Sequence, residues 1–235
     1  FDQGSGSGLA TIDDKTPTAA EEIWDGLDAA TATGPEGLVG AAGNSGVFNY
    51  VQTISGYTLN AAARKGSGTS NADGASSGAG QSAWDFAITG TGEDAGVEGL
   101  AWGVGYGEAE QGQTGGIDST VHMTIFANYS VGPVTFGYQH SNIDNGAVAA
   151  SEEIVDAWGI AFNINENLSV SYGEREVDFD KAAGNADVTE KGEGVAVAYT
   201  MGSIKIAGNR NEVSDNDGTS GSEDAMTEIA VSFAF

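Results

Sequence analysis

The sequence predicts an all-β protein, an antiparallel up-and-down β-barrel whose strands cross a membrane. Three observations support this fold class: apolar and small side chains alternate along many short segments, short and long connections alternate between these segments, and the last segment ends in phenylalanine. No apolar run reaches the length of about 18 residues that a membrane-spanning helix needs. A sheet in lipid has to close on itself, because every backbone polar group must be paired there.

The composition excludes several classes of protein. The 235 residues include 34 Asp and Glu but only 8 Lys and Arg, which gives a formal net charge of −26. Because phosphate binding requires a basic surface, we exclude a nucleic-acid partner. Without cysteine, neither a disulfide nor a cysteine-ligated metal site is available. Since 40% of the residues are hydrophobic, intrinsic disorder is not expected either.

The first part of the chain, residues 1–46, lacks the alternating pattern. We predict a short acidic helix over 18–27, because Pro17 suits a first helical position and Thr18 with Glu21 has the spacing of a capping box. A connection that carries a helix and a cluster of carboxylates is unusual for its length. We therefore expect this part of the chain to have a function of its own.

Eleven strands are predicted between residue 46 and the C-terminus. In ten of them one parity is apolar and the other small or polar, as expected when alternate side chains point to opposite faces of a sheet. The first strand has a less clear parity. The alternating segments begin, in chain order, at Val47, Tyr57, Trp84, Leu100, Val121, Val134, Trp158, Leu168, Val195, Ile204 and Thr227.

The connections between these strands have the layout of an outer-membrane barrel, with short turns at one end and long polar loops at the other. Trp and Tyr side chains lie near the strand ends of the apolar face, where a membrane–water interface favours them. A water-soluble sandwich is the alternative, and it would need a second sheet to cover this face. The long loops are predicted at 66–81, 109–118, 142–152, 179–191 and 213–224.

The acidic helical segment, the eleven strands and the terminal Phe235 together resemble the general diffusion porins of Gram-negative bacteria, most closely the alphaproteobacterial type. The resemblance implies a constriction loop at 1–46 that narrows the pore and barrel strands over 47–235. It also implies that Phe235 is part of the outer-membrane assembly signal. It further implies a homotrimer in the bacterial outer membrane, in contact with lipid and lipopolysaccharide.

A complete barrel of this family has about 16 strands, more than the sequence supplies. We therefore expect the chain to be the C-terminal portion of a longer porin, consistent with the lack of a signal region after Phe1. The alternative is a smaller barrel of about 10 or 12 strands with an N-terminal plug.

A porin barrel holds an aqueous channel, and its selectivity depends on pore width and on the charges that line it. We expect passive diffusion of small hydrophilic solutes and ions, with a preference for cations because basic residues are few. The candidates for acidic groups at the constriction are Asp13, Asp14, Glu21, Glu22, Asp25 and Asp28, each of which could also be an ordinary solvated carboxylate. Strand parity places the candidate wall residues Arg64, Asp85, His122, Arg175, Lys205 and Glu228 on the lumen side, with the two arginines best suited to face the acidic loop.

Other functions stay open at this stage. A solute-specific channel and a non-conducting structural or adhesive barrel that serves as a phage receptor are the alternatives. The sequence contains no zinc-protease or P-loop motif, and its one G-x-S-x-G pattern, at 74–78, falls in a Gly- and Ser-rich predicted loop and not at a strand-to-helix turn, so we do not expect an enzyme. We expect no cofactor, although Asp215, Asp217 and Glu223 offer the oxygen ligands that Ca²⁺ prefers, without EF-hand spacing.

Overall fold

The computed structural model describes residues 8–27, 47–64, 82–93, 96–110, 119–144, 152–181 and 185–234. Within these ranges the chain forms one sheet of eleven strands, and each strand pairs antiparallel with the next along the chain. This confirms the predicted all-β, up-and-down fold. The first and last strands do not pair with each other in the described part of the chain, so the sheet is open, as a partial barrel.

The strands match the predicted alternating segments. They are β1 (Val47–Ile54), β2 (Tyr57–Arg64), β3 (Ala83–Thr91), β4 (Leu100–Ala109), β5 (Thr120–Val131), β6 (Val134–Asp144), β7 (Glu152–Asn165), β8 (Leu168–Asp180), β9 (Val188–Met201), β10 (Ile204–Ser214) and β11 (Glu223–Phe233). In the residues that the structure describes, no helix has the length and apolar character needed to span a bilayer.

Several strands are longer than their apolar pattern. Strand β7 begins at Glu152, β9 at Val188 and β11 at Glu223, each several residues before the bulky alternation starts. Backbone pairing does not depend on apolar side chains, so the ladder of hydrogen bonds continues where the side chains become charged. The connections that precede these three strands are therefore shorter than predicted.

The turns at the opposite end are tight. Gly56, Gly132 and Gly202 adopt φ angles of 82°, 57° and 61° in the turns after β1, β5 and β9. Glycine enters this region without the steric penalty of a Cβ atom, which explains its position in these turns. The alternation of tight turns with longer connections is confirmed.

The two faces of the sheet differ in chemistry. The outer face carries bulky apolar side chains, such as Ile125 and Tyr138, which are 50% and 44% exposed. The inner face is made mainly of small and polar residues, and residues 8–27 pack against it. The described strands form a single sheet, so none of them covers the outer face as the sandwich alternative requires. An exposed apolar face of this extent is typical of barrels that cross a membrane.

The helix predicted over 18–27 is wrong. These residues form bends and one turn, and the short helix of this part of the chain is a 3₁₀ helix at Leu9–Ile12. The amide of Asn211 on β10 donates to the carbonyl oxygens of Glu22 and Asp25, at 3.0 and 2.9 Å. These carbonyls therefore accept hydrogen bonds from the inner face of the sheet, which we also call its wall, and not from the backbone N–H groups of an α-helix.

An arginine in the middle of the outer face should destabilise the protein in lipid. We expect Ile125→Arg on β5 to lower the free energy of unfolding by about 2–4 kcal/mol, because a cation at the bilayer midplane loses its hydration. The matched control is Ala225→Arg, on the same face near the charged end of β11, with an expected loss of at most about 1 kcal/mol. Urea titration in lipid vesicles measures both. Equal losses would show that lipid does not solvate the outer face.

Candidate functional site

Residues 8–27, which we call the inner segment, lie across the inner face from β3 to β11. At its start, the backbone N–H of Gly8 donates to the Asp85 carboxylate on β3, at 2.7 Å. At its end, Gly26 lies against the Met226 side chain on β11. The segment thus crosses nearly the whole width of the sheet. Each strand that it crosses contacts it through a side chain or through a glycine that leaves room for its backbone.

The first half of the inner segment is held by two amide side chains. Gln139 on β6 donates to the carbonyl oxygens of Ile12 and Asp13, at 2.8 and 2.7 Å, and accepts from the N–H of Lys15 at 2.9 Å. Asn128 on β5 donates to the Lys15 carbonyl at 2.6 Å. Each such bond contributes about 0.5–1.5 kcal/mol, and a buried carbonyl left without a partner would cost more.

In the second half of the inner segment, hydroxyl groups add to the bonds that the Asn211 amide makes. The N–H of Ala19 donates to Ser171 Oγ on β8, at 2.9 Å. The Thr18 hydroxyl donates to the Glu21 carbonyl at 2.6 Å and accepts from the N–H of Ala20 at 3.3 Å. The predicted capping box is therefore not formed, because the Thr18 side chain stabilises a turn of the segment rather than the start of a helix.

Glycines of the wall let the segment approach the strands. Leu9 and Ile12 are fully buried, and both pack over Gly105 on β4. A Cβ atom on Gly159 of β7 would lie 2.9 Å from the Pro17 carbonyl oxygen. The small-residue parity of the strands thus makes room for a backbone.

The inner segment carries five of the six predicted acidic residues within the described ranges. Asp14, Glu21 and Asp25 are exposed, and Asp13 and Glu22 are partly exposed. The sixth predicted acid, Asp28, lies outside the described residues, as does the predicted assembly residue Phe235.

Asp13 is the acid of the inner segment whose titration is altered by burial. Desolvation raises the pKa of its carboxyl group above the ordinary value of 3.8. The N–H of Asp14 donates to this carboxylate at 3.1 Å, and the charge of Lys15 also favours ionisation, but burial has the larger effect. Ionisation of Asp13 is therefore less favourable in the folded protein than in the unfolded chain.

The strand register places all six predicted wall residues on the inner face, because directly opposite residues share a face. Asp85 contacts the inner segment through Gly8, and Arg175 contacts it through Trp24. The six are Arg64 on β2, Asp85 on β3, His122 on β5, Arg175 on β8, Lys205 on β10 and Glu228 on β11.

Arg175 does not offer a free charge to a solute. Its guanidinium group is 2% exposed and forms an ion pair with the fully buried Glu190 on β9. It also lies 5.4 Å from the ring centre of Trp24, a cation–π contact with the inner segment. Arg175 therefore faces the inner segment, but the buried carboxylate of Glu190 neutralises its charge locally, and its role in lining a pore stays a prediction.

Sequence reasoning missed Glu190 and the amides of the wall. The predicted loop over 179–191 includes Glu190, although this residue continues the parity of Gly192 and Gly194 on β9. That shared parity was the signal that could have placed it on the inner face. The same signal, a polar side chain on the small-residue parity, marks Asn128, Gln139, Ser171 and Asn211.

Two of the three candidate calcium residues make protein contacts, Asp215 through its carboxylate and Asp217 through its backbone N–H. The Asp215 carboxylate accepts from the N–H of Gly221 at 2.7 Å, and the N–H of Asp217 donates to Glu190 at 2.8 Å. In the described ranges, no three or more His, Asp or Glu residues are arranged to hold a metal ion. Calcium binding at Asp215, Asp217 and Glu223 stays a prediction.

A methyl group at Gly159 should push the inner segment off the wall. We expect Gly159→Ala to weaken the packing of the inner segment on the sheet by about 1–3 kcal/mol, because the new Cβ would overlap the Pro17 carbonyl. Hydrogen exchange at the amides of Lys15 and Ala19 should then quicken roughly tenfold. The control is Gly192→Ala on the same face, where the nearest atom would be 3.8 Å away. Equal exchange rates in the two variants would contradict this packing.

The raised pKa of Asp13 should make stability fall as pH rises. Below pH 3.8, the ordinary pKa of this group, it is protonated in both folded and unfolded protein and has no effect. At higher pH the unfolded chain releases the proton first, so stability falls until the raised folded-state pKa is passed. We expect Asp13→Asn to remove this loss, with the exposed Asp14→Asn as control. Urea unfolding from pH 3 to about 7 measures the free energy of unfolding of each variant. If this free energy depends on pH in the same way in both variants, the effect of Asp13 is refuted.

Comparison with known proteins places the fold. No protein-family model matches the sequence, and no curated protein matches it. Among solved structures, a loop-deletion variant of OmpT, an outer-membrane protein of Vibrio cholerae, has a TM-score of 0.68 and 14% identity over 99% of this chain and 74% of its own. An anion-selective porin from Comamonas acidovorans has a TM-score of 0.69 and 10% identity over 100% and 73%. A third porin has a TM-score of 0.67 and 12% identity over 99% and 76%. The chain therefore has the fold of Gram-negative outer-membrane porins.

Proposed function

We propose that the chain forms part of a water-filled channel in the bacterial outer membrane, through which small hydrophilic solutes and ions diffuse passively. The observation that carries the proposal is the inner segment, which lies across the small, polar face of a porin-type sheet and is bonded to it along its length. Such a segment narrows the space inside a barrel. Passive diffusion has no covalent step, so the channel needs no catalytic group.

The proposed channel prefers cations. Asp14, Glu21 and Asp25 are exposed on the inner segment, whereas the charge of Arg175 is compensated by Glu190. Carboxylates along a narrow passage raise the local concentration of cations and repel anions. Selectivity of this kind depends on the charges at the constriction rather than on the fold, so the anion selectivity of a relative at 10% identity does not apply here.

The outer face supports the proposed location, because its exposed apolar side chains are best solvated by acyl chains. The homotrimer, the contact with lipopolysaccharide, the alphaproteobacterial type and the assembly role of Phe235 are expectations from the family resemblance. The mass of the detergent-solubilised protein tests the trimer.

Planar-bilayer recording tests the channel. We expect the native protein, extracted in detergent, to insert in discrete conductance steps, with a reversal potential in a salt gradient that indicates cation preference. A carboxylate about 6 Å from a cation in water contributes roughly 0.7 kcal/mol. The double variant Asp14→Asn/Glu21→Gln should therefore lower the cation-to-anion permeability ratio several-fold at low salt and less at high salt.

The control for this experiment is Glu166→Gln, an exposed carboxylate in the turn between β7 and β8. It should leave the permeability ratio unchanged. Anion preference of the native protein would refute the selectivity, and a folded protein without conductance would favour the non-conducting barrel. Saturable flux of one solute would favour a solute-specific channel.

A further inference from the structure

The connection between β10 and β11, residues 215–222, folds back onto the wall of the sheet. The N–H of Asp217 donates to the Glu190 carboxylate on β9 at 2.8 Å, and Lys181 Nζ, just after β8, donates to the Gly218 carbonyl at 2.5 Å. The ring of Phe179 on β8 packs against Gly218, where a Cβ atom would lie 2.9 Å from it. The loop is therefore packed on β8 and β9 rather than extended away from the sheet.

The contacted face is the inner face. Glu190 lies opposite the buried Val177, and Phe179 shares the parity of Val177 and of Arg175. The register alone settles this point, because successive side chains of a strand point to opposite faces. The β10–β11 loop thus lies on the same side of the sheet as the inner segment.

The loop holds a defined conformation. Asp215 and Asp217 have φ angles of 53° and 52°, a region that side chains other than glycine rarely adopt. The N–H of Asn216 donates to the Ser222 carbonyl at 3.1 Å, and the Asp215 carboxylate accepts from Gly221. A strained backbone of this kind persists only where its surroundings hold it, here the wall contacts and the internal bonds.

Glu190 connects the loop to the inner segment. Its carboxylate accepts from both the Asp217 N–H and the Arg175 guanidinium, and Arg175 lies against Trp24. Arg175 and Phe179 are four residues apart on β8, a distance of about 13 Å along the strand. The inner segment and the loop therefore lie one above the other on the same stretch of wall.

We propose that the β10–β11 loop is a second constriction of the channel, in series with the inner segment and closer to the end with the long connections. It limits the size of solutes before they reach the inner segment, and its contacts with Glu190, Lys181 and Phe179 hold it inside. This proposal rests on the proposed channel function.

Loop truncation tests the second constriction. Residues 215–222 of the native protein are replaced by a two-residue Asn-Gly turn, which joins antiparallel strands directly. We expect single-channel conductance to rise about 1.5-fold or more and larger oligosaccharides to enter proteoliposomes, with cation preference retained. Unchanged conductance and size exclusion would overturn the second constriction while leaving the channel in place. Failure of the unmodified protein to conduct would instead overturn the channel function.

A cysteine pair tests the position of the loop without shortening it. The chain contains no cysteine, so Phe179→Cys/Gly218→Cys introduces a single possible disulfide. The two residues are in contact, and Asp215 and Asp217 show that this loop accepts side chains at positive φ. We expect the disulfide to form on mild oxidation and the conductance to be the same in the oxidised and reduced protein.

The control pair for this experiment is Phe179→Cys/Gly202→Cys, because Gly202 lies in a turn at the opposite end of the sheet and should form no disulfide. No bond between positions 179 and 218, or a conductance that falls when that bond forms, would mean that the loop lies outside the channel in the working protein. Either result would overturn the proposal.

Discussion

The structure depends on one constraint: a stretch of chain with little secondary structure of its own lies against a sheet, and its backbone polar groups have to be paired there. Side chains on the inner face of the sheet supply these hydrogen-bond partners. They include Asp85, Asn128, Gln139, Ser171 and Asn211. Glycines occupy the positions of the inner face where the inner segment approaches the strands most closely, as at Gly105 and Gly159. The small-residue parity of the strands is therefore a binding surface for the inner segment as well as one face of the sheet.

The buried ion pair of Arg175 and Glu190 has a desolvation cost, and it positions two separate segments of the chain. Removing two charges from water is expensive, and the pair compensates this only because each group has further partners, the Trp24 ring for one and the Asp217 N–H for the other. Such a pair contributes little net stability but fixes geometry. Here it fixes the inner segment and the β10–β11 loop to one point of the wall, so that a change at this point affects both.

The outer face follows a separate rule. On β8 to β11 its apolar side chains occupy only the part of each strand near the tight turns, and these strands continue beyond them with charged residues such as Glu174 and Glu193. The hydrogen-bond ladder has no need of apolar side chains, whereas acyl chains exclude charge. The sheet is accordingly taller than its apolar band, and its charged end carries the longer connections.

The eleven strands, their order, their two faces and the tight turns could be predicted from the residues alone, because a period of two residues and the turn glycines are local signals. The sequence also identified the acidic segment. The absence of a helix at 18–27 could not be predicted in this way, since the Asn211 amide that donates to the Glu22 carbonyl lies on β10, 189 residues along the chain. The pairing of Arg175 with Glu190 and the inward fold of 215–222 were likewise hidden. These contacts join parts of the chain that become neighbours only when the sheet has formed, and no local pattern records which side chain a distant backbone group will meet.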